Sequence, residues 1–297
     1  MIVGVGCIAH DHVLVTESTG DPGKGRITHR EVRFGGNVRN ALAAVAGLGQ
    51  PAAYLASVGT SSVSDQAITD LSEHGIDTDF VERREGADPV TATLIITADG
   101  ERYIAFDDAT LATTPLPCDA TIERAITAAN VLLIDASTAP PGTLDVVENA
   151  RSRGVPVVLD AERDLNDEMA ALISAADHLI IPLTFGTIIT GRSLPQEVAA
   201  ALWNERRRAL VLTDGSAGSY AAEGPDGIFH VPSFDVDTID TTGCGDAFHG
   251  AYAVALSQGL DLRDRVTFAS AAAAVVASRE PGQQRIPTLA EVVRLTG

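Results

Sequence analysis

The chain has 297 residues, 45% of them hydrophobic and 21% charged, which is the composition of an ordinary globular protein with room for one large α/β domain. Its formal net charge of −19 argues against nucleic acid or an anionic membrane as a partner, because no basic stripe is present to release counterions. The three cysteines, Cys7, Cys118 and Cys244, are scattered without CxxC spacing and indicate neither a disulfide framework nor a zinc site.

The N-terminal residues MIVGVGCIAHDHVLV lack a basic stretch and are interrupted by His10, Asp11 and His12, so they do not resemble a secretory signal. No stretch of about 18 residues is apolar enough to cross a bilayer. These features predict a soluble, cytoplasmic protein.

In chain order, short β-branched apolar runs alternate with alanine-rich helical patterns. The predicted strands are Ile2–Val5, Ala53–Val58, Val131–Ile134, Val155–Leu159, His178–Ile181 and Leu210–Thr213. The predicted helices are Asn37–Leu48, Asp65–His74, Thr143–Arg153, Asp167–Ala175, Pro195–Glu205, Asp246–Gln258 and Arg263–Ser278. Continuous apolar strands between helices indicate a parallel sheet buried on both faces. No repeat or linker interrupts the pattern, so residues 1–297 are predicted to form one doubly wound α/β domain.

Two stretches, about 12–34 and 89–108, break this alternation with β-type patterns. In the second, VTATLIIT and RYIAF flank Asp99-Gly100, which is a hairpin signal because glycine tolerates positive φ. Strands inserted between helices in this way predict a small separate sheet, a lid that could exclude water from an active site. The alternative is a pair of surface hairpins without a role.

The strongest motif is DTTGCGD at residues 240–246, between a strand-like VDTID and the helical pattern AFHGAYAVAL. Gly243 and Gly245 allow the backbone to curl, so that successive N–H groups, including that of Cys244, point at one spot at a helix N-terminus. Such a nest suits phosphate oxygens. Asp246 lies in the first helical turn, where its carboxylate could accept a proton from an attacking hydroxyl. The alternative is that Asp246 only caps the helix.

The second motif is FGGNVRNA at residues 34–41, which leads into a helix. Its paired glycines, Gly35 and Gly36, allow close approach of a ligand to the backbone. Asn37 and Asn40 are three residues apart in the first turn and could share one face, where amides suit sugar hydroxyls. The alternative is that Asn37 is only an N-cap.

DTTGCGD resembles the DTxGAGD signature of the ribokinase-like (PfkB) carbohydrate kinases, and GGNVRNA resembles the second signature of that family, GGxxxNxA. The resemblance runs over residues 1–287 and implies a ribokinase-like fold with a β-sheet lid, and ATP and Mg²⁺ as cofactors. It implies that Asp246 is the catalytic base and that Gly243, Cys244 and Gly245 form the anion hole. Cys244 stands where the family usually has alanine.

The resemblance also implies the remaining site residues. The sugar-binding residues would be Asp11, Gly35, Gly36, Asn37, Asn40 and Asp135. The motif LVLTDGSAG at 210–218 resembles the strand and turn that contact ATP, which gives Thr213, Gly215, Ser216 and Gly218 as nucleotide contacts. Asp240 and Thr242 stand where many members hold a monovalent cation, such as K⁺, through oxygens. Lys24 could reach an anionic substrate tail from the lid, or could be a solvated loop lysine.

Within the family, GGNxxN is similar to the ketohexokinase branch, and FDVDTIDTTGCGDAFHGA is similar to bacterial sulfofructose kinases; both branches act on the primary hydroxyl of a ketose. One departure is that PLTF at 182–185 stands where many members carry an NxxE motif for Mg²⁺. The metal is therefore expected to be held mainly by phosphates and water.

These observations predict an ATP-dependent sugar kinase that phosphorylates a primary hydroxyl of a ketose-like sugar. Two alternatives stay open, a nucleoside kinase on the same fold and a catalytically silent sugar-binding regulatory protein. Exposed strand edges in the lid predict a homodimer through the lid.

Overall fold

A computed structural model of the protein describes residues 1–17, 25–97, 102–111, 113–163, 165–279 and 285–297. Within these residues the main sheet has nine strands. In spatial order they are β15 (Phe229–Val231), β14 (Ser219–Ala222), β13 (Ala209–Thr213), β12 (His178–Pro182), β11 (Val157–Asp160), β10 (Val131–Asp135), β1 (Ile2–Val5), β4 (Ala52–Tyr54) and β6 (Ile76–Asp77). All neighbours are parallel except β13–β14 and β14–β15. The predicted parallel sheet is confirmed.

Helices cover both faces of this sheet. On one face lie α1 (Asn37–Gly47), α2 (Ser62–Glu73), α8 (Cys244–Ser257), α9 (Leu262–Ala277) and α10 (Leu289–Thr296). On the other lie α3 (Asp119–Ala128), α4 (Thr143–Ser152), α5 (Asp167–Ala175), α6 (Leu183–Thr190) and α7 (Pro195–Leu202). Successive strand residues alternate between the two cores, as Ile2 and Val3 do, because a strand points its side chains to opposite faces. None of the helices in the described ranges has the length and apolar character needed to span a membrane.

A second, four-stranded sheet lies beside the first. Its order is β3 (Ile27–Gly35), β2 (Ala9–Thr16), β8 (Val90–Thr97) and β9 (Arg102–Asp107), with β2 and β8 parallel and the outer pairs antiparallel. These strands come from the two stretches that broke the sequence alternation, so the small separate sheet is confirmed. The predicted hairpin tip at Asp99-Gly100 and the loop with Lys24 lie outside the described residues.

Some elements differ from the predicted ones. The predicted strand Ala53–Val58 is divided at Leu55 into β4, in the main sheet, and β5 (Ala56–Val58), which pairs with β7 (Val81–Arg83). No element was predicted for the segment LTFGTIIT, which forms the helix α6, although its continuous apolar and β-branched residues are typical of a strand. Here tertiary packing against α7 and β12 prevails over local propensity.

The topology creates a cleft at the carboxyl ends of the parallel strands. The chain proceeds from β1 to β4 on one side and returns to β10 on the other, and such reversals place ligands at the strand ends. The helices α1 and α8 pack closely beside this point, because a Cβ at Gly250 would lie 2.3 Å from the carbonyl oxygen of Ala41. Glycine at position 250 therefore allows the N-terminal halves of α1 and α8 to meet.

Candidate active site

The glycine turn before α8 exposes backbone donors. Gly243 is the N-cap of α8 with φ +76°, a conformation that favours glycine. The N–H of Cys244 donates to the carbonyl oxygen of Thr241 at 3.2 Å. The N–H groups of Gly245 and Asp246 have no acceptor among the residues that the structure describes. Two donors at a helix N-terminus are thus open to an anion.

Gly245 differs from Gly243. It lies within α8 without positive φ, and a Cβ there would meet no atom within 4 Å. The expectation that both glycines are needed to curl the turn is therefore correct for Gly243 only. At position 245, the absence of a side chain leaves space in front of the open N–H groups.

Asp246 lies in the first turn of α8 and is held by α1. Its Oδ2 accepts a hydrogen bond from Nδ2 of Asn40 at 2.8 Å. Desolvation of the carboxyl raises the pKa of Asp246 to about 7, and the hydrogen bond from Asn40 acts in the opposite direction. Asp246 is therefore a carboxyl group poised to gain or lose a proton near neutral pH.

Arg39 fixes the orientation of the Asn40 amide. Its Nη1 donates to Oδ1 of Asn40 at 3.3 Å, which leaves the amide nitrogen for Asp246. The guanidinium of Arg39 is buried and is itself held by Asp70 through two hydrogen bonds of 2.8 Å. A buried, paired Arg39 acts on the site through Asn40.

Asp11 faces the same cleft from the lid strand β2. Its carboxylate accepts no hydrogen bond from any described residue. Burial raises the pKa of this carboxyl, and the positive charges of Arg33 and Arg39 lower it. Gly35 lies directly against it, because a Cβ there would be 2.3 Å from Oδ2 of Asp11. An ionised carboxylate in this position can accept hydrogen bonds from ligand hydroxyls.

The cleft has a volume of about 650 Å³, which is well within the range of small-molecule sites. The predicted site residues Asp11, Gly35, Asn40, Thr242 and Gly243 line it. Asn37 and Asp246 are not among its lining residues; they line a separate, small pocket next to the sheet. Nδ2 of Asn37 donates to Oε1 of Glu162 at 3.2 Å. The structure thus brings the two sequence motifs together.

Asp135 and Asp160 end β10 and β11 beneath Asp246. The carboxylate of Asp135 is 1% exposed and accepts hydrogen bonds from the N–H of Ser137 at 2.9 Å and from Oγ1 of Thr138 at 2.5 Å. Burial and the neighbouring carboxylates raise the pKa of Asp160 well above its ordinary value. A direct contact between Asp135 and a sugar stays a prediction, since both of its oxygens are used in its own turn.

His249 ties the first turn of α8 to the sheet. Its Nδ1 lies 2.8 Å from the carbonyl oxygen of Gly245, and its Nε2 lies 3.2 Å from that of Ile180 and 3.4 Å from Oδ1 of Asp160. Because carbonyl oxygens only accept, the ring donates to at least one of these two carbonyl oxygens. The His249 ring thus lies between α8 and the carboxyl groups below Asp246.

The residues predicted to contact a nucleotide lie at the same edge of the sheet but do not line the cleft. Thr213 ends β13, and Gly215–Ala217 form an exposed 3₁₀ turn that includes Ser216. Gly218 has φ +97°, and a Cβ there would lie 2.3 Å from the carbonyl oxygen of Val231. The backbone therefore requires glycine at position 218 whether or not a nucleotide binds there. The predicted sugar and nucleotide regions are therefore on different parts of the strand-end surface.

Asp240 and Thr242, the predicted monovalent-cation residues, are contacted by Arg285. Its Nη1 donates to Oδ2 of Asp240 at 2.7 Å and its Nε donates to the carbonyl oxygen of Thr242 at 3.1 Å. Sequence reasoning missed this arginine, and it also missed His249, Glu162 and the role of Arg39. The only signal for His249 was its place one turn after Asp246. Arg285 gave none, because Asp240 and Thr242 are more than 40 residues away from it in the chain.

The pKa of Asp246 gives a pH prediction for any reaction that uses its carboxylate as a base. The reactive, ionised form is lost as the pH falls, so we expect log(kcat/KM) to decline by about one per pH unit below about pH 7. Asn40→Ala removes a hydrogen bond that lowers this pKa, so its acid limb should lie at higher pH. A profile measured from about pH 5.5 to about pH 9 that is flat, or that Asn40→Ala leaves in place, would rule out Asp246 as the titrating base.

Comparison with known proteins gives an independent view of the chain. The family model described as pfkB family carbohydrate kinase matches residues 1–289. The ribokinase of Staphylococcus aureus is 25% identical over 98% of both chains, and fructokinase-1 of Zea mays is 26% identical over 88% of this chain and 87% of its own. A solved structure from Agrobacterium tumefaciens superposes with a TM-score of 0.89 at 28% identity, covering 99% of this chain and 96% of the other. The fold is also that of Arabidopsis thaliana ribokinase complexed with ribose and ATP, with a TM-score of 0.84 at 20% identity over 99% and 97% of the chains.

Proposed function

The chain belongs to the pfkB family of carbohydrate kinases and is an ATP-dependent carbohydrate kinase, and from this premise we propose that it transfers the γ-phosphoryl group of ATP to a primary hydroxyl of a ketose-like sugar. The observation that carries the proposal is the position of Asp246. Its carboxylate lies in the first turn of α8 beside two open backbone N–H groups and accepts a hydrogen bond from Asn40, which lines the cleft together with Asp11.

In this mechanism the sugar lies between the lid and α1, with its hydroxyls on Asp11, Asn37 and Asn40. Asp246 accepts the proton of the attacking hydroxyl. The N–H groups of Gly245 and Asp246 receive oxygens of the transferring phosphoryl group, whose transition state is loose and needs positioning and charge stabilisation more than a strong base. A carboxyl group with a pKa of about 7 suits this task at neutral pH.

ATP would approach from the other side of the glycine turn, with Thr213, Gly215, Ser216 and Gly218 near the nucleotide. Mg²⁺ would neutralise its phosphates against the chain's net charge of −19. Among the described residues no group of three or more His, Cys, Asp or Glu could hold a metal, and α6 has no acidic residue in its first turn. We assign Mg²⁺ mainly to phosphates and water, with Glu162 as the supporting carboxylate, because it is exposed and raises the pKa of Asp246 from nearby.

A potassium ion has no place in this proposal, because Arg285 already donates to oxygens of Asp240 and Thr242. The guanidinium of Arg39 lines the cleft but is paired with Asp70, so we do not assign it to an anionic substrate tail.

The ketose assignment is supported by the resemblance of GGNxxN and by the fructokinase among the relatives. Because ribokinases are also among the relatives, ribose is the sugar against which ketoses should be compared. A nucleoside kinase is the second candidate, because the rings of His10 and Phe34 lie 5.3 Å apart and both line the cleft, where they could stack on a base.

Assembly through the lid is part of the proposal. The outer strands of the lid sheet, β3 and β9, expose large apolar side chains, namely Ile27, Val32, Tyr103, Ile104 and Phe106. Open strand edges with exposed apolar residues favour pairing with a second copy of the chain.

The substrate proposal is tested by measuring ADP release with ketoses, aldoses including ribose, sulfo- and phospho-sugars, and nucleosides. We expect a ketose to have the highest kcat/KM and deoxy analogues to lose at least about tenfold per missing hydroxyl contact, since the polar groups of the site are then unpaired. A higher kcat/KM for ribose than for every ketose would refute the ketose assignment alone. A nucleoside that exceeds every sugar would refute the sugar assignment.

A further inference from the structure

The guanidinium of Arg285 lies at the base of the glycine turn and donates to four oxygens. Nη1 and Nη2 bond the side-chain Oδ2 and the carbonyl oxygen of Asp240, respectively. Nε bonds the carbonyl oxygen of Thr242, and Nη2 also lies 3.3 Å from the carbonyl oxygen of Val276 in the last turn of α9. The arginine side chain is 13% exposed and the aspartate side chain 31% exposed, so the contact is shielded from water in part.

These oxygens form a negatively charged region that needs a cation. Asp240 contributes a carboxylate, whose Oδ1 also accepts the N–H of Thr242 at 2.8 Å. Val276 lies at the C-terminus of α9, where the helix dipole is negative, and its carbonyl oxygen also accepts the N–H of Arg279 at 3.2 Å. Without a positive charge the three carbonyls and the carboxylate would repel one another and loosen the turn.

A cation here acts on the turn that carries the open N–H groups. Asp240 and Thr242 immediately precede Gly243, and the N–H groups of Ile239 and Asp240 donate to the carbonyl oxygen of Ala277. Arg285 therefore fastens the strand-like segment before the turn to the end of α9. The position of the first turn of α8 depends on this fastening.

We propose that Arg285 is a permanent internal cation that replaces an exchangeable monovalent ion, so that this kinase works without K⁺. A K⁺ ion would need the same oxygens of Asp240 and Thr242 that the guanidinium bonds, and it would stand beside a second positive charge. Arginine is protonated at every accessible pH and supplies directed donors, which a bare ion cannot do. The residues therefore do not fit the monovalent-cation site that the family resemblance implies. This inference rests on the kinase activity of the family and not on the identity of the sugar.

The first test measures the rate of the wild-type enzyme with KCl and with tetramethylammonium chloride at equal ionic strength. The two rates should agree within about twofold, because ionic screening is held constant. Activation by K⁺ of about tenfold or more would overturn the proposal.

The second test uses Arg285→Ala. We expect this variant to lose at least about tenfold in kcat without K⁺, since small displacements of positioned groups have effects of that size or larger. Its rate should rise when KCl or guanidinium chloride is added at low concentration, whereas the wild type should not respond. Arg279→Ala is the matched control, because it removes another arginine that follows α9 and whose guanidinium bonds both carboxylate oxygens of Glu291. This variant should stay insensitive to K⁺. An Arg285→Ala variant with the wild-type rate in the absence of K⁺ would contradict the proposal.

A stability measurement separates this proposal from the substrate assignment, because it needs no turnover. The Tm of Arg285→Ala should rise by about 2 °C or more with K⁺ relative to tetramethylammonium, and that of the wild type should not. If Arg285→Ala does not fold, Arg285→Lys is the second variant, because it retains the positive charge but loses the directed donors of the guanidinium. Its Tm and rate should respond to K⁺ more than those of the wild type. Equal responses of variant and wild type to K⁺ would refute the role of Arg285 even if no sugar is turned over.

Discussion

Replacing Asp246 with asparagine should lower kcat by about 10²–10⁴, the usual effect of losing a general base. Asparagine has nearly the same size and keeps an oxygen that can accept the hydrogen bond from Asn40, so the first turn of α8 should stay in place. What is lost is the ability to take up a proton. KM for the sugar should change much less than kcat, because Asp11 and Asn37 would still bind hydroxyls.

The matched control is Asp237→Asn, the same chemical change at an exposed position of the segment before the turn. It should leave kcat close to the wild-type value. If Asp246→Asn also retains kcat within about threefold, Asp246 is only a helix cap and the proposed mechanism fails.

Gly243→Val should lower kcat by at least about 10², because removal of a single positioned oxyanion donor already costs about 10²–10³. Position 243 has φ +76°, which a β-branched residue resists. A valine there must change the backbone conformation, and that change moves the N–H groups of Gly245 and Asp246 together. Affinity for the sugar should fall less than the rate.

Gly259→Val is the control for strain, because Gly259 has φ +77° and follows the other end of the same helix. A Cβ at either glycine meets little, with no atom within 4 Å at position 259 and only the Asp246 carboxylate, at 3.9 Å, at position 243. Both variants should therefore lose similar thermal stability, and only Gly243→Val should lose turnover. Equal losses of kcat in the two variants would show that the rate follows stability and not the geometry of the turn.

The sequence was sufficient for those parts of the structure that depend on local pattern. The apolar strands, the glycine turn and the helix after it were predictable, because periodicity and glycine placement act over a few residues. The separation of Ala53–Val58 into two strands was not predictable, and no element was predicted for Leu183–Thr190, since both features depend on packing against distant elements.

The same distinction applies to the site. Asp246 and Asn40 were each singled out by their motifs, but their hydrogen bond joins residues 206 positions apart and follows from the close approach of α1 and α8 at Gly250. Arg285 lies outside every motif, and its meaning comes only from the oxygens around it. Residue type and spacing thus predicted the chemistry, and the tertiary fold decided which groups are paired.

The most direct test of the proposed phosphoryl transfer is identification of the product by ³¹P NMR when the enzyme is mixed with Mg·ATP and the best sugar of the screen. We expect a sugar phosphate monoester to form in step with ADP, and Asp246→Asn to form it at least about 10² times more slowly. ADP accompanied only by inorganic phosphate, or a phosphate ester on a nucleoside formed faster than on any sugar, would contradict the proposal.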